Sequence, residues 1–141
     1  MTPEAYVANA KNTEHSHQVA VFMWAAGQIE IYPCLRWMYA IPNGGDRNPI
    51  VAARLKAEGV KSGVSDICLP FARQGYHGFY IELKKPKITE GDKKQAAGKE
   101  SETQVEFGKF LAQEQYLYAC FDHWEKARDG IKWYLYNDCP F

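Results

Sequence analysis

The stretch Phe79-Tyr80-Ile81-Glu82-Leu83-Lys84 constrains this chain more than any other. Side chains on a strand alternate between its faces, so Phe79, Ile81 and Leu83 share one face and Tyr80, Glu82 and Lys84 the other. Upstream lies a glycine-bearing polar segment, residues 72–78, and before it Ile67-Cys68-Leu69-Pro70. Two short strands around such a segment read as a β-hairpin. The hairpin returns Gly63-Val64-Ser65-Asp66 to the end of the second strand and sets Asp66 beside Glu82. Residues two apart on a strand lie roughly 6.6 Å from each other, which places Lys84 next to Glu82. Two converging carboxylates with an ammonium beside them suit a hard divalent cation and an activated water. A Glu-x-Lys pair on an amphipathic strand is ordinarily a solvated face, and an aspartate after a glycine is equally often a turn residue. The reading rests on the combination.

A length of 141 residues suits one domain with a genuine core and leaves little room for a second. With 46% hydrophobic and 24% charged residues, the composition is that of a soluble globular protein. No apolar run approaches the roughly 18–20 residues that span a bilayer, and no signal peptide is visible at the N-terminus. Cys34, Cys68, Cys120 and Cys139 are widely spaced with no C-x-x-C. They read as reduced and mostly buried thiols of a cytoplasmic protein, and the spacing gives no support to a zinc site. Seventeen basic and seventeen acidic residues give zero formal net charge, which excludes a highly basic coating protein. Locally the lysines still cluster, with Lys84, Lys85, Lys87, Lys93, Lys94 and Lys99 close together.

In chain order, residues 1–12 read as an arm or a helix start. A helix follows from Thr13 or Asn12 as cap, with His15, Val19, Phe22, Ala26 and Ile29 on one stripe and Glu14, Gln18, Val21 and Ala25 on the next. A first-turn glutamate such as Glu14 ordinarily serves the helix dipole. The spacing predicts a strand over 35–41, a turn over 42–46, and a helix from Pro49 that ends at Gly59. After the hairpin, residues 85–99 read as an exposed, mobile loop that is also placed to touch a polyanion. Ser101-x-x-Gln104 is a capping box opening a helix whose buried stripe runs through Phe107, Gly108 and Leu111. A buried strand over 117–121 follows. Asp122-x-x-Glu125 caps a last helix that turns Trp124, Ala127, Ile131, Tyr134 and Leu135 to the core. The order is α/β, with a mixed sheet of about four strands flanked by helices.

Five segments, in this order and spacing, resemble the VRR-NUC (virus-type replication and repair nuclease) family: residues 14–18, residues 41–45, residues 52–66, Ile81-Glu82-Leu83-Lys84 and Gln104-Val105-Glu106-Phe107. The resemblance runs from about residue 13 to 135, which makes 1–12 an arm and 136–141 a tail. It implies a single-domain PD-(D/E)XK nuclease, a restriction-endonuclease-like αβββαβ core. Ser65 stands where the superfamily name has proline, and serine still permits the turn. By resemblance, Glu14, Asp66, Glu82, Lys84 and Gln104 are the catalytic positions. Short stand-alone members are similar in length; they come largely from phages, which implies a bacterial host cytoplasm, and are implied to act as homodimers on four-way (Holliday) junctions.

On this reading Glu14, Asp66, Glu82 and the Leu83 backbone carbonyl hold Mg²⁺ or Mn²⁺, an all-oxygen set that suits a hard cation. Lys84 orients or deprotonates the attacking water or neutralises the phosphate, and Gln104 hydrogen-bonds Lys84, the water or a phosphate. DNA contacts come from the backbone amides of Asn43, Gly44 and Gly45 and from Arg47, Arg54, Lys61, Lys85 and Lys87. Solvated charges are the ordinary explanation of those basic residues. No recognition-helix pattern is visible, which favours binding by backbone and shape, and a two-fold dimer presents two sites to the two symmetric strands of a junction. Alternatives are a nickase or endonuclease on linear or flap DNA, and a DNA-binding module without catalysis. Exposed aromatics such as Trp37, Trp124 or Trp133 are dimer-surface candidates, with core packing the ordinary reading.

Overall fold

Strand β3 (Phe79–Leu83) lies inside a four-stranded sheet of order β1-β2-β3-β4, and its two faces divide the labour of the molecule. The computed structural model describes residues 1–42, 48–88, 95–96 and 98–136. The proposed turn beyond Pro42, together with Lys93, Lys94 and Cys139, falls outside them. Strands β1 (Tyr39–Ala40), β2 (Ile67–Leu69) and β3 are antiparallel neighbours, and β4 (Leu117–Phe121) runs parallel to β3. The expected mixed sheet of four strands is therefore present.

The hairpin between β2 and β3 forms as its sequence suggests. Gln74 and Gly75 both adopt positive φ, 55° and 83°, the requirement of a type I′ turn, and the Tyr76 N–H closes it on the Arg73 carbonyl at 2.8 Å. Tyr134 ties this turn to the last helix: its hydroxyl donates to the Phe71 carbonyl at 2.7 Å and accepts the Arg73 N–H at 3.1 Å.

Phe79, Ile81 and Leu83 are buried together with Ile67 and Leu69 under two helices, α2 (Glu14–Ala26) and α5 (Trp124–Tyr134). Trp124, Ala127, Ile131, Tyr134 and Leu135 face this core as expected. Fully burying each large apolar side chain is worth about 1.5–3 kcal/mol, so this face carries the stability. On the opposite face α4 (Glu102–Gln113) packs against β4 and sets Phe107 edge-on to Tyr80 at 5.6 Å. Helices thus cover both sides of the sheet.

Several local expectations differ from the structure. In α2 the buried side chains are Ser16, His17, Ala20, Val21 and Ala25, whereas His15, Val19, Phe22 and Ala26 line an outward groove. Apolar residues occur all round this helix, so periodicity leaves its phase open. Small Ala20 and Ala25 allow close packing, and buried His17 accepts the Trp124 N–H on Nδ1 at 3.0 Å. Burial, ahead of the neighbouring His123, lowers the His17 pKa to about 4 and keeps the ring neutral. The strand expected over 35–41 is mostly a 3₁₀ turn (Pro33–Trp37) that plugs Leu35 into the core, leaving only Tyr39 and Ala40 to pair. Strand β4 is half-buried at every residue because it is an edge. His123, not Asp122, caps α5: its Nδ1 accepts the Glu125 N–H at 3.1 Å, while Asp122 pairs with Lys126 at 2.6 Å.

Residues before Thr13 include a short helix, α1 (Pro3–Asn9), packed on α2. Helix α3 (Pro49–Ala57) begins at Pro49 and is followed by Gly59 at φ 104°, as its sequence indicates, and it buries none of its residues. Cys68 is buried, and Cys34 and Cys120 are half-buried. Among the described residues no helix is long and apolar enough to cross a membrane.

Gly63 controls how β2 meets α4. Its φ is 87°, and a Cβ there would lie 2.7 Å from the Thr103 backbone. Gly59 shares the positive φ but faces open space. Gly63→Ala should lower unfolding free energy by more than about 1 kcal/mol, and by clearly more than Gly59→Ala, in urea titrations. Equal losses would mean that the Thr103 contact contributes nothing.

Candidate active site

The register of the hairpin decides where the acids meet. Ile67 pairs with Ile81 and Cys68 with Tyr80, so one step further Asp66 stands opposite Glu82. Immediately before β2, the Asp66 carbonyl accepts the Ile41 N–H at 2.8 Å, and its carboxylate Oδ2 accepts the Leu83 N–H at 2.8 Å. Both main chain and side chain of Asp66 are thereby fixed to neighbouring strands.

Glu82 is only 2% exposed, which removes the solvated-face reading of the Glu-x-Lys pair. Its Oε1 accepts from Gln104 Nε2 at 2.8 Å, and the Lys84 Nζ stands 3.6 Å from the same oxygen. Its Oε2 is buried with no hydrogen-bond partner. Desolvation chiefly, then the nearby Asp66 carboxyl, push the Glu82 carboxyl from an ordinary 4.5 up to about 9. Lys84 opposes this shift, and Glu14 adds a further push. The physical state this describes is a Glu82 carboxyl that keeps its proton at neutral pH.

Gln104 serves two elements at once. Its Oε1 accepts the Ser101 N–H at 2.8 Å, completing the capping box of α4, and its Nε2 reaches Glu82. The sequence expectation gave that amide to Lys84, a water or a phosphate; in the structure its partner is the carboxylate. Cys120, across β4 from Glu82, was passed over because nothing in the sequence sets the register of a parallel pair. Burial, with the charges of Glu100 and Glu82, raises its thiol to about 12 and keeps it neutral.

Asp66, Glu82, Lys84 and Gln104 are thus brought together. Glu14 opens α2, is exposed, and influences Glu82 through its charge. Among the described residues no three His, Cys, Asp or Glu side chains close on a metal-sized space. Arg54, Lys61, Lys85 and Lys87 are exposed, while Asn43, Gly44, Gly45 and Arg47 lie outside the described residues.

A hairpin aspartate, a Glu-x-Lys strand and a helix-borne glutamine meeting on one face of a mixed sheet define a protein of the PD-(D/E)XK nuclease fold class. A solved structure described as a VRR_NUC domain protein superposes with a TM-score of 0.69 at 27% sequence identity, covering 88% of both chains. With the order of its site residues, this match supports the resemblance of the chain to the VRR-NUC family. No family model and no curated protein matches the chain.

Glu82 retains its proton in the fold up to about pH 9 but loses it near 4.5 once unfolded. Between those values the folded state binds more protons, so this group makes stability fall as pH rises. Glu82→Gln, which cannot ionise, should therefore stabilise the metal-free protein at pH 8 by about 1 kcal/mol or more, with the advantage vanishing near pH 4.5. Thermal unfolding of both proteins across that range checks this. A pH-independent difference would mean that Glu82 does not keep its proton in the fold.

Proposed function

We propose that this protein is a divalent-cation-dependent endonuclease that hydrolyses DNA phosphodiester bonds. The observation that carries the reading is the buried, partnerless Glu82 Oε2 opposite Asp66, with Lys84 alongside. A buried carboxyl that keeps its proton beside a second carboxyl is a place where a cation can substitute for that proton. Its donors are all oxygens, which suits Mg²⁺ or Mn²⁺. Asp66 and Glu82, with the Leu83 carbonyl as a further ligand, would hold the ion, and Glu14, which does not close on them in this structure, would join only by moving toward them. When bound, such an ion supplies charge neutralisation at the phosphate and lowers the pKa of water.

The chain's own groups do the remainder. Leu83 N–H holds the Asp66 carboxylate in one orientation, and the Gln104 amide does the same for Glu82. Both oxygens are therefore set before substrate arrives, so little reorganisation is left for the chemical step. Lys84, 11% exposed and leaning on Glu82, presents an ammonium at the point where phosphate charge builds up or where the attacking water is oriented. Arg54, Lys61, Lys85 and Lys87 supply exposed positive charge for the DNA backbone. A preference for four-way junctions and action as a homodimer follow the family resemblance, supported by the two-fold argument from symmetric strands.

Four-way junction, flap and plain duplex, incubated side by side with Mg²⁺ or Mn²⁺, test the proposal. Paired symmetric cuts on the junction are expected, and single unpaired nicks would instead mark a nickase. Glu82→Ala and Lys84→Ala should each lower cleavage by at least about 10²-fold while junction binding persists. Undiminished cleavage by Glu82→Ala would make that carboxylate incidental and end the proposal.

A further inference from the structure

The chain that returns after β3 is fastened around Lys84. Ile88 and Gln95 exchange both backbone hydrogen bonds, at 2.8 and 3.0 Å, and the Gly98 N–H donates to the Lys85 carbonyl at 3.1 Å. These contacts fold residues 95 and 98 back onto the segment that begins at Lys84. A Cβ built on Gly98 would lie 3.2 Å from the Lys84 Cβ and 3.4 Å from its Cδ. The lysine stem therefore lies across bare backbone, tighter than a side chain would ordinarily tolerate.

Gln95 adds a second tie. Its Nε2 donates to the Pro86 carbonyl at 2.6 Å and to the Asn12 carbonyl at 3.3 Å. Asn12 also meets His17 Nε2 through Oδ1, and His17 accepts the Trp124 N–H on its other nitrogen. One amide thus joins the chain two residues beyond Lys84 to the residue two before Glu14. Through His17 that join continues into the buried interface of α2 and α5.

A lysine side chain has four rotatable bonds, and its ammonium acts on chemistry only where the stem is held. We propose that Gln95 and Gly98 are positioning residues, which hold the Lys84 ammonium over Glu82 and keep the first turn of α2, with Glu14, in a fixed place beside it. The role in catalysis rests on the nuclease reading; the restraint on Lys84 does not. Gly98 acts by absence of a side chain, and Gln95 acts by two donated hydrogen bonds. Neither touches the reacting atoms.

The test compares Gly98→Ala, Gly98→Val and Gln95→Met with the wild-type chain, each shown to be folded by thermal unfolding. Three quantities are read: kcat and KM for cleavage with Mg²⁺, affinity for the DNA, and the chemical shift of the Lys84 Cε at one fixed pH. The last is assigned by its loss in Lys84→Arg. Gly98→Val should lower kcat about 10²-fold and Gly98→Ala less, with KM and DNA affinity within about twofold, because a misplacement approaching an ångström falls on the chemical step alone. The Lys84 resonance should move in all three variants. Unchanged kcat and an unmoved resonance in the folded variants would overturn the proposal, as would equal losses of kcat and DNA affinity with the resonance unmoved. If Gly98→Val does not fold, Gly98→Ala and Gln95→Met decide in the same way. Should the wild-type chain cleave no substrate, the nuclease reading fails, while the resonance still upholds or overturns the restraint on Lys84.

Discussion

Two carboxyl groups facing each other across a buried hairpin register are the constraint on which the rest of this structure depends. Unit charges of like sign about 4 Å apart repel by about 4 kcal/mol at an effective dielectric of 20. A hydrogen bond to a charged group returns about 1.5–3 kcal/mol. The amide on Glu82 and the N–H on Asp66 are comparable to that repulsion and orient the pair, but desolvation of the enclosed Glu82 carboxyl, the largest cause of its shift, comes on top. Lys84 relieves part of it, yet the Glu82 carboxyl still stands near 9. A proton must be present, or a cation in its place.

That demand explains why the two faces of β3 are built so differently. On one face Phe79, Ile81 and Leu83 lie in an apolar layer with α2 and α5, where burial supplies stability. On the other, Tyr80 and Glu82 meet α4 through an aromatic edge and a glutamine amide. A strand fixed on its apolar side can carry an unfavourable charge arrangement on its polar side, because slipping by one residue would turn every buried side chain outward. The core thus enforces the register that sets Asp66 opposite Glu82.

How much of this was legible in the sequence follows from the range of the interactions involved. Alternation over residues 79–84, the Gln74-Gly75 turn and the Ser101-x-x-Gln104 capping box are local, and each folds as its residues indicate. The convergence of Asp66, Glu82 and Lys84 follows from that local pattern plus one hairpin. The phase of α2 was not legible, because apolar residues surround it and the choice is made by His17 finding Trp124, 107 positions away. Residues 35–37 could not be told from a strand, since burying Leu35 satisfies either geometry. Cys120 beside Glu82 and Gly98 beneath Lys84 depend on pairings between separate segments, which periodicity does not encode.

Zero net charge conceals a separation that matters for a polyanionic partner. Of the acids at the site, Glu82 is enclosed and Asp66 is held against β3, while Glu14 stands in solvent, as do Arg54, Lys61, Lys85 and Lys87. At physiological ionic strength fields decay over about 8 Å, so an approaching backbone senses these exposed cations before the enclosed carboxyls. A Glu82 carboxyl that keeps its proton presents no negative charge at that distance in any case. The same burial that raises the Glu82 carboxyl therefore also keeps it out of solvent.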